Sequence, residues 1–384
     1  MTGRPLRVLY FCGARQWGGA EIFLGHLLAG LDASVEPVLM GVDAAVLGRL
    51  AERRPETRLE VVPRIVDKRD LRAIRAQRRA MDAVRPDVVQ LNLPVPYAEP
   101  YSVLAALSLR RPAVVVVEHL PTAIPSRGIR LVKRLTSPHL AAHVAVGSAA
   151  ARTVEAMSGA GPGSVRVVHN GVPRPADLVP PPRPGARLVV GGLGRMHRQK
   201  GFDVLVRAAA SLTDVHLVLV GDGPEADALQ RLAGETGLTG RFTFTGWTDR
   251  VSDWLPVLDV VAMPSRFEGL PLVLLEAMAA GRAVVGTEVG STGDALRDGE
   301  TGLVVGVDDV AALAEALARL RDDPALRSRL GAGAAERYDA EFTVDAMVRS
   351  YRQLYDEVTT RSSHGRLTRR GRSTGGPGQE RRPR

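Results

Sequence analysis

The chain reads as a two-domain α/β protein in which each domain is a parallel sheet wrapped by helices. Three observations predict this. Apolar residues make up 45% of the 384 positions but aromatics only 4%, so the cores must be built from Val, Leu and Ala. Short Val-rich runs that end in turn residues alternate with Ala/Leu-rich stretches of helical spacing, the pattern of right-handed βαβ crossovers. This alternation stops at a proline-rich stretch and then starts again.

In order, residues 6–11, 35–40, 88–91, 114–117 and 143–146 read as strands, with helical spacing over 20–31 and 71–84. Residues 173–185 (PRPADLVPPPRPG) carry six prolines and no apolar periodicity, which predicts an extended, semi-rigid linker. Strands are then expected at 188–192, 215–220, 242–245, 260–262 and 283–286. Helices are expected at 201–211, 225–236 and 272–280, and over most of 309–358. The division is a first Rossmann-like domain over 1–172, the linker, a second such domain over 186–340, terminal helices over 341–360 and a tail over 361–384. Open sheets of this kind bind ligands outside the carboxyl ends of their strands, which here means a cleft between the domains.

Composition narrows the function. A single cysteine, Cys12, excludes an intramolecular disulfide framework and fits a reducing compartment. The opening MTGRPLRVLYF is too briefly apolar for a secretory signal. No stretch approaches the roughly 18–20 apolar residues of a membrane span, so a soluble, cytoplasmic protein is expected. Residues 361–384 hold eight arginines against one acid, Glu380, and carry +7 of the net +9, leaving about +2 for the body. That tail, poor in apolar residues, is expected to be disordered. It is either a solvated tail without a specific role or a weak attractor of anionic lipid or nucleic acid; no specific nucleic-acid partner is expected.

Residues 264–286 (PSRFEGLPLVLLEAMAAGRAVVG) are the most informative. Pro271 suits the first turn of a helix, which would point its free amides toward Glu268 and Gly269. An anion site with a carboxylate at its mouth suits a diphosphate joined to sugar hydroxyls, and Glu276, about one turn in, could accept from a ribose. The competing reading makes Glu268 a complement to the helix dipole and Glu276 a surface residue. In 189–205 (VVGGLGRMHRQKGFDVL) a strand enters a Gly-rich turn, and Arg195 and Lys200 precede a helix, an arrangement that suits a diphosphate. Gly18 and Gly19 open a helix after the first strand, either as a turn or as a phosphate cradle. His119 stands at the carboxyl end of a strand, as a structural or a functional histidine. The turn at 221–230 (GDGPEADALQ) reads as a simple tight turn.

Taken in order, these segments resemble glycosyltransferase family 4, retaining enzymes of the GT-B fold. The motifs are GGAE, EH, VRVVHNGVP, GRMHRQKGFD, VGDGPE, EGLPLVLLEAMAAGRAVV with its two glutamates eight apart, and DGETGLVV, spread over residues 8–306. The resemblance implies a nucleotide-diphosphate-sugar donor held by the second domain, a sugar or lipid-linked acceptor, and a place in cell-envelope or polysaccharide biosynthesis. It implies that Gly18 and Gly19 contact the donor phosphate and that Arg195 and Lys200 grip the diphosphate. It assigns Glu268, with Gly269, Leu270 and Leu272, to the sugar and helix start, Glu276 to the ribose, and His119 to the side of the reacting sugar. The last helices would cross back onto the first domain. One loop departs from the family: where Gly-Gly-x-Pro-Glu is common, Gly290-Ser291-Thr292-Gly293-Asp294 stands here, so that loop's contacts do not carry over. In the turn Gly246 to Arg250 no pattern selects a base.

No Asp-x-Asp pair occurs in the chain, so no cofactor and no obligatory metal are expected. The resemblance implies retention by front-face departure and attack, with Glu268 holding the sugar rather than attacking it. The rivals are a nucleotide-sugar epimerase of the same fold and a non-catalytic nucleotide-sugar-binding protein. A dehydrogenase would need G-x-G-x-x-G, which Met196 and His197 interrupt.

In residues 67–85 a helical wheel puts Leu71, Ile74, Met81 and Val84 on one side, beside a stripe of Lys68, Arg72, Arg75 and Arg79. Arg127, Arg130, Lys133 and Arg134 form a second basic cluster. Either these are solvated helices, or they hold the protein peripherally at an anionic membrane surface, at its inner face.

Overall fold

The structure, a computed structural model, describes residues 4–371, with side chains through residue 361. The first domain runs β1 (Leu6–Cys12), α1 (Gly19–Gly30), β2 (Val35–Gly41), α2 (Ala44–Ala51), β3 (Arg58–Val61), α3 (Leu71–Val84), β4 (Val88–Leu93), α4 (Pro100–Leu107), β5 (Ala113–Glu118), α5 (Arg127–Thr136), β6 (Ala142–Ala145), α6 (Ser148–Ser158) and β7 (Arg166–Val167). The second runs β8 (Leu188–Leu193), α7 (Phe202–Ala210), β9 (Val215–Val220), α8 (Ala226–Glu235), β10 (Phe242–Phe244), β11 (Val260–Met263), α9 (Leu272–Ala279), β12 (Ala283–Thr287), β13 (Leu303–Val305), α10 (Val310–Asp322) and α11 (Pro324–Glu341). A last helix, α12, spans Val344–Gly371.

Among the described residues each domain holds one parallel sheet, ordered β3-β2-β1-β4-β5-β6-β7 and β10-β9-β8-β11-β12-β13. The inner strands β1, β4, β5, β8 and β11 are buried nearly throughout. Their unbroken apolar runs follow from having helices on both faces. Strand β3 (RLEV) is an exposed, charged edge, which keeps it from templating another chain and hides it from a search for apolar runs. In both sheets the order reverses at one point, between β1 and β4 and between β8 and β11. The crevices of such sheets open at these points.

Helix α12 returns to the first domain. Met347, Val348, Tyr351, Leu354, Tyr355 and Val358 share a core with Val8, Tyr10, Phe23 and Leu27. Gly30 makes the approach possible, because a Cβ there would come within 2.7 Å of Val344 and Val348. The Tyr355 hydroxyl donates to buried Gln90 Oε1 (2.6 Å), so burying these polar groups leaves them bonded. The helix is assigned as far as Gly371, while residues 372–384 of the expected tail lie outside the described residues.

Helix α3 buries a face rotated from the one read on the wheel, and α5 buries one member of its basic cluster. On α3 the buried stripe is Ala73, Gln77, Met81 and Val84, while Leu71 is 51% exposed. Gln77 is tolerated inside because its amide donates to the Pro63 carbonyl (2.9 Å). On α5, Lys133 is no part of a basic surface: it is buried against Glu118, and Leu131 and Leu135 face outward instead. A paired ammonium can be buried where an unpaired one cannot.

Candidate active site

The donor-side site is built where β8, β11 and α9 end or begin. Strand β8 leaves its sheet through Gly194, whose φ of +131° few side chains adopt. Arg195 follows, exposed and without an ion pair or side-chain hydrogen bond to a described residue. After β11 the chain passes Ser265 and Arg266 to Glu268. The Arg266 guanidinium grips Asp203 through two bonds (2.9 and 2.8 Å) and Asp308 through a third (2.7 Å), which pins this loop to α7.

Glu268 is 7% exposed, and both of its oxygens accept from local donors. Oε1 accepts from Lys200 Nζ (2.7 Å) and Ser265 Oγ (2.9 Å), and Oε2 from Gln199 Nε2 (3.3 Å). The two residues assigned to different parts of one ligand, Lys200 and Glu268, are thus paired with each other. Helix α9 begins at Leu272 with Pro271 as N-cap and no side-chain cap, so its first amides are open to an anion. Pro271 therefore stands one position earlier than expected. Glu276 is half-buried on that helix. Its carboxyl is pushed up to about 7 by desolvation, with Lys200 pulling the other way. Leu270 offers no polar side chain: it is 3% exposed, and its carbonyl accepts from Asn170 Nδ2 (2.8 Å).

The first domain closes against this site. Gly269 packs directly on the His119 carbonyl, which a Cβ would overlap. The His119 backbone thereby sits against the residue that follows Glu268. The His119 ring stands edge-on to Phe23 (centroids 4.7 Å apart), and its Nε2 is buried without a partner. Burial lowers its pKa to about 4, against the pull of Glu118, so at neutral pH it is an uncharged imidazole. Glu118 turns to the other face of β5. There it accepts from Lys133 and from His143 Nε2 (3.0 Å), a buried cluster that fixes the strand end carrying His119. Burial would raise the Glu118 pKa, but Lys133 and His143 hold it down at about 2.

Gly18 and Gly19 begin α1 without a side-chain cap. The Glu21 carboxylate, 5% exposed, lies beside Gly18, where an added Cβ would come within 3.3 Å of its Oε2. Gly19 is exposed with no atom within 4 Å of the position its Cβ would take, and it remains open to a ligand. Among the described residues no group of three or more His, Cys, Asp or Glu side chains is placed to hold a metal ion. The sequence alone assigns no role to Ser265, Gln199 or Arg266. A serine, a glutamine and an arginine beside a known motif carry no pattern of their own until the loop is folded.

Comparisons with known proteins match both domains to glycosyltransferases. A family model described as Glycosyltransferase Family 4 matches residues 17–174, and one described as Glycosyl transferases group 1 matches residues 187–323. The lipopolysaccharide core biosynthesis glycosyltransferase LpsE of Rhizobium meliloti is 39% identical over 166 residues, 43% of this chain and 49% of LpsE. A D-inositol 3-phosphate glycosyltransferase of Mycolicibacterium paratuberculosis is 36% identical over 235 residues, covering 55% of this chain and 52% of that one. The match thus spans about half the length of these curated relatives. Among solved structures, Anabaena HepE in complex with UDP superposes with a TM-score of 0.79 at 19% identity, over 92% of this chain and 100% of HepE, which speaks to the fold. With two parallel-sheet domains of GT-B type, each matched by a glycosyltransferase model, the chain belongs to the glycosyltransferases of family 4.

Proposed function

We propose that this chain is a retaining glycosyltransferase that moves a sugar from a nucleotide-diphosphate-sugar to a hydroxyl of a glycan, lipid-linked or small-molecule acceptor. The observation that carries the reading is the cluster at the cleft: Glu268 with Lys200 beside it, the uncapped start of α9, and neutral His119 opposite. On donor binding the sugar hydroxyls replace Lys200 as donors to Glu268. The freed ammonium, Arg195 and the amides at Leu272 then take the diphosphate. These groups stabilise the charge that grows as the bond from anomeric carbon to phosphate oxygen breaks. The acceptor oxygen bonds to that carbon from the same face, and its proton passes to the departing phosphate oxygen. His119, neutral and with a free ring nitrogen, hydrogen-bonds a sugar hydroxyl. Ionised Glu276 accepts from the ribose.

Charge stabilisation by Arg195, Lys200 and helix amides leaves no step that requires a metal ion. HepE is described in complexes with UDP and with UDP-glucose, which makes uridine nucleotides the first donors to test. Peripheral attachment to an anionic membrane is supported by α5. That helix exposes Leu131 (57%) and Leu135 (62%) among exposed Arg127, Arg130 and Arg134, a face suited to the lipid interface. No helix among the described residues is long and apolar enough to cross a membrane.

The test is a panel of nucleotide-sugars with a chelator present and lipid or glycan acceptors, with products read by mass spectrometry. Sugar transfer from one donor, with the anomeric configuration kept, supports the reading. Release of no nucleoside diphosphate from any donor contradicts it.

A further inference from the structure

Two motifs remain without a role, the His169-Asn170-Gly171 segment before the linker and the Gly290-to-Asp294 turn that departs from the family. They meet across the two domains. Helix α6 of the first domain begins after Gly147, which has no side chain to cap it. The cap comes from the second domain instead. Asp294 Oδ2 accepts from the Ser148 amide (2.6 Å), its Oδ1 from the Ser148 hydroxyl, and Ser291 Oγ from the Ala150 amide (3.0 Å). His169 Nε2 donates to Asp294 Oδ2 (3.2 Å), while Asn170 holds the Leu270 carbonyl (2.8 Å). Gly147 is what allows this approach, since a Cβ there would reach to 2.7 Å from Asp294 Oδ2 and overlap Ser291.

The same turn is tied to the donor side. The Ser291 amide donates to the Gly269 carbonyl (2.8 Å). Gly290, at φ +58°, lies so close to the Glu268 carbonyl that a Cβ would overlap it. Arg337 Nε holds the Asp294 carbonyl from behind (3.2 Å). Burial would raise the Asp294 pKa, but His169 and Ser148 hold it down at about 2. Its charge is therefore kept at the positive end of α6.

We propose that the Ser291–Asp294 turn is an interdomain latch, and that Asp294 is a positioning residue that holds the two domains in the arrangement that binds the donor. This rests on the proposed function only for what the cleft binds. The latch joins the start of α6 to the loop of Glu268 and Gly269, so opening the domains and loosening that loop are one event. The Asp294 carboxylate is taken up by Ser148 and His169, so it acts through the closed arrangement. Weakening the latch lowers the fraction of closed chain, and the apparent donor affinity falls by that fraction, while saturating donor restores closure.

The experiment uses the full chain and its Asp294→Ala, Asp294→Asn and Ser291→Ala variants, in small-angle scattering and in donor titrations of sugar transfer. Asp294→Ala should increase the radius of gyration and raise the donor KM about tenfold, the scale of losing one charge-assisted contact. Its kcat should stay within about threefold of the unaltered chain. Asp294→Asn, which keeps one acceptor, should fall between the two, and Ser291→Ala should show the same pattern more weakly. Unchanged scattering and KM in the folded variants would overturn the latch, as would a fall in kcat alone, the mark of a local loss of structure. If the chain transfers no sugar, the scattering comparison still decides the latch while the functional reading fails separately.

Discussion

The Lys200 ammonium donates to Glu268 Oε1 over 2.7 Å, and both groups are largely shielded, with side-chain exposures of 19% and 6%. The cation assigned to the diphosphate and the carboxylate assigned to the sugar thus form one unit that a donor must divide. Lys200→Ala should therefore do two things. It should remove a contact to the donor, and it should leave Glu268 buried without its cation. Losing one partner of a shielded pair costs up to about 3–5 kcal/mol. A lowered Tm in thermal unfolding, with weaker donor binding, is the expected pair of results; weaker binding at unchanged Tm would mean that the pair contributes nothing to the fold.

Glu268→Gln keeps the shape of the side chain and removes its charge. If the residue only complemented the dipole of α9, the cost would be about 0.3–1 kcal/mol. As the group that holds the sugar hydroxyls it should cost far more in kcat/KM, by a hundredfold or so if two charge-assisted bonds weaken. Steady-state kinetics with a fixed acceptor decides between the two, and near-normal turnover in the variant excludes the sugar contact.

Glu276 supplies a pH dependence. Its folded pKa, about 7, lies above the ordinary 4.5. Between these values the folded chain binds the extra proton. The stability linked to this group is complete below about pH 4.5 and is lost as pH rises through about 7. Glu276→Gln should flatten that part of the Tm-against-pH curve and stabilise the chain at pH 8. Donor binding should move the opposite way, because a ribose hydroxyl donates best to the ionised form. The Kd of the nucleotide-sugar should fall between pH 6 and 8 in the unaltered chain and stay level in the variant.

The exposed leucines of α5 make the membrane reading testable without altering the cleft. In co-sedimentation with anionic vesicles at low salt, the full chain should pellet with the lipid. Leu131→Glu with Leu135→Glu should return it to the supernatant, since burial of apolar area and cationic attraction both support attachment. Equal pelleting of both proteins would assign any binding to another surface.

What could be read in advance follows physical locality. Strands such as β5 (AVVVVE) announce themselves because burial on both faces demands an unbroken apolar run. Strand β3 does not, because an edge strand is selected for charge. Glu268, Lys200 and Arg195 lie in segments where a glycine, a helix start and a charge are close in the chain, and they were nameable. Lys133 reads as surface charge in the sequence because its partner Glu118 lies fifteen positions away on another element. The cap that Asp294 supplies to α6 spans 146 positions. Neither residue has a pattern around it, so only the folded chain pairs them.

If this cleft holds a nucleotide-sugar through its diphosphate, Arg195 must carry part of the affinity. Arg195 is exposed and unpaired with any described side chain, so Arg195→Ala should leave the fold intact. Calorimetric titration with UDP, GDP and ADP, for the unaltered chain and the variant, is the measurement. Single-site binding of at least one nucleoside diphosphate is expected. The variant should show about a tenfold or greater rise in Kd, the roughly 1.5–3 kcal/mol of one charge-assisted contact, at unchanged Tm. Equal affinity in the two proteins, or no binding of any of the three, would contradict it.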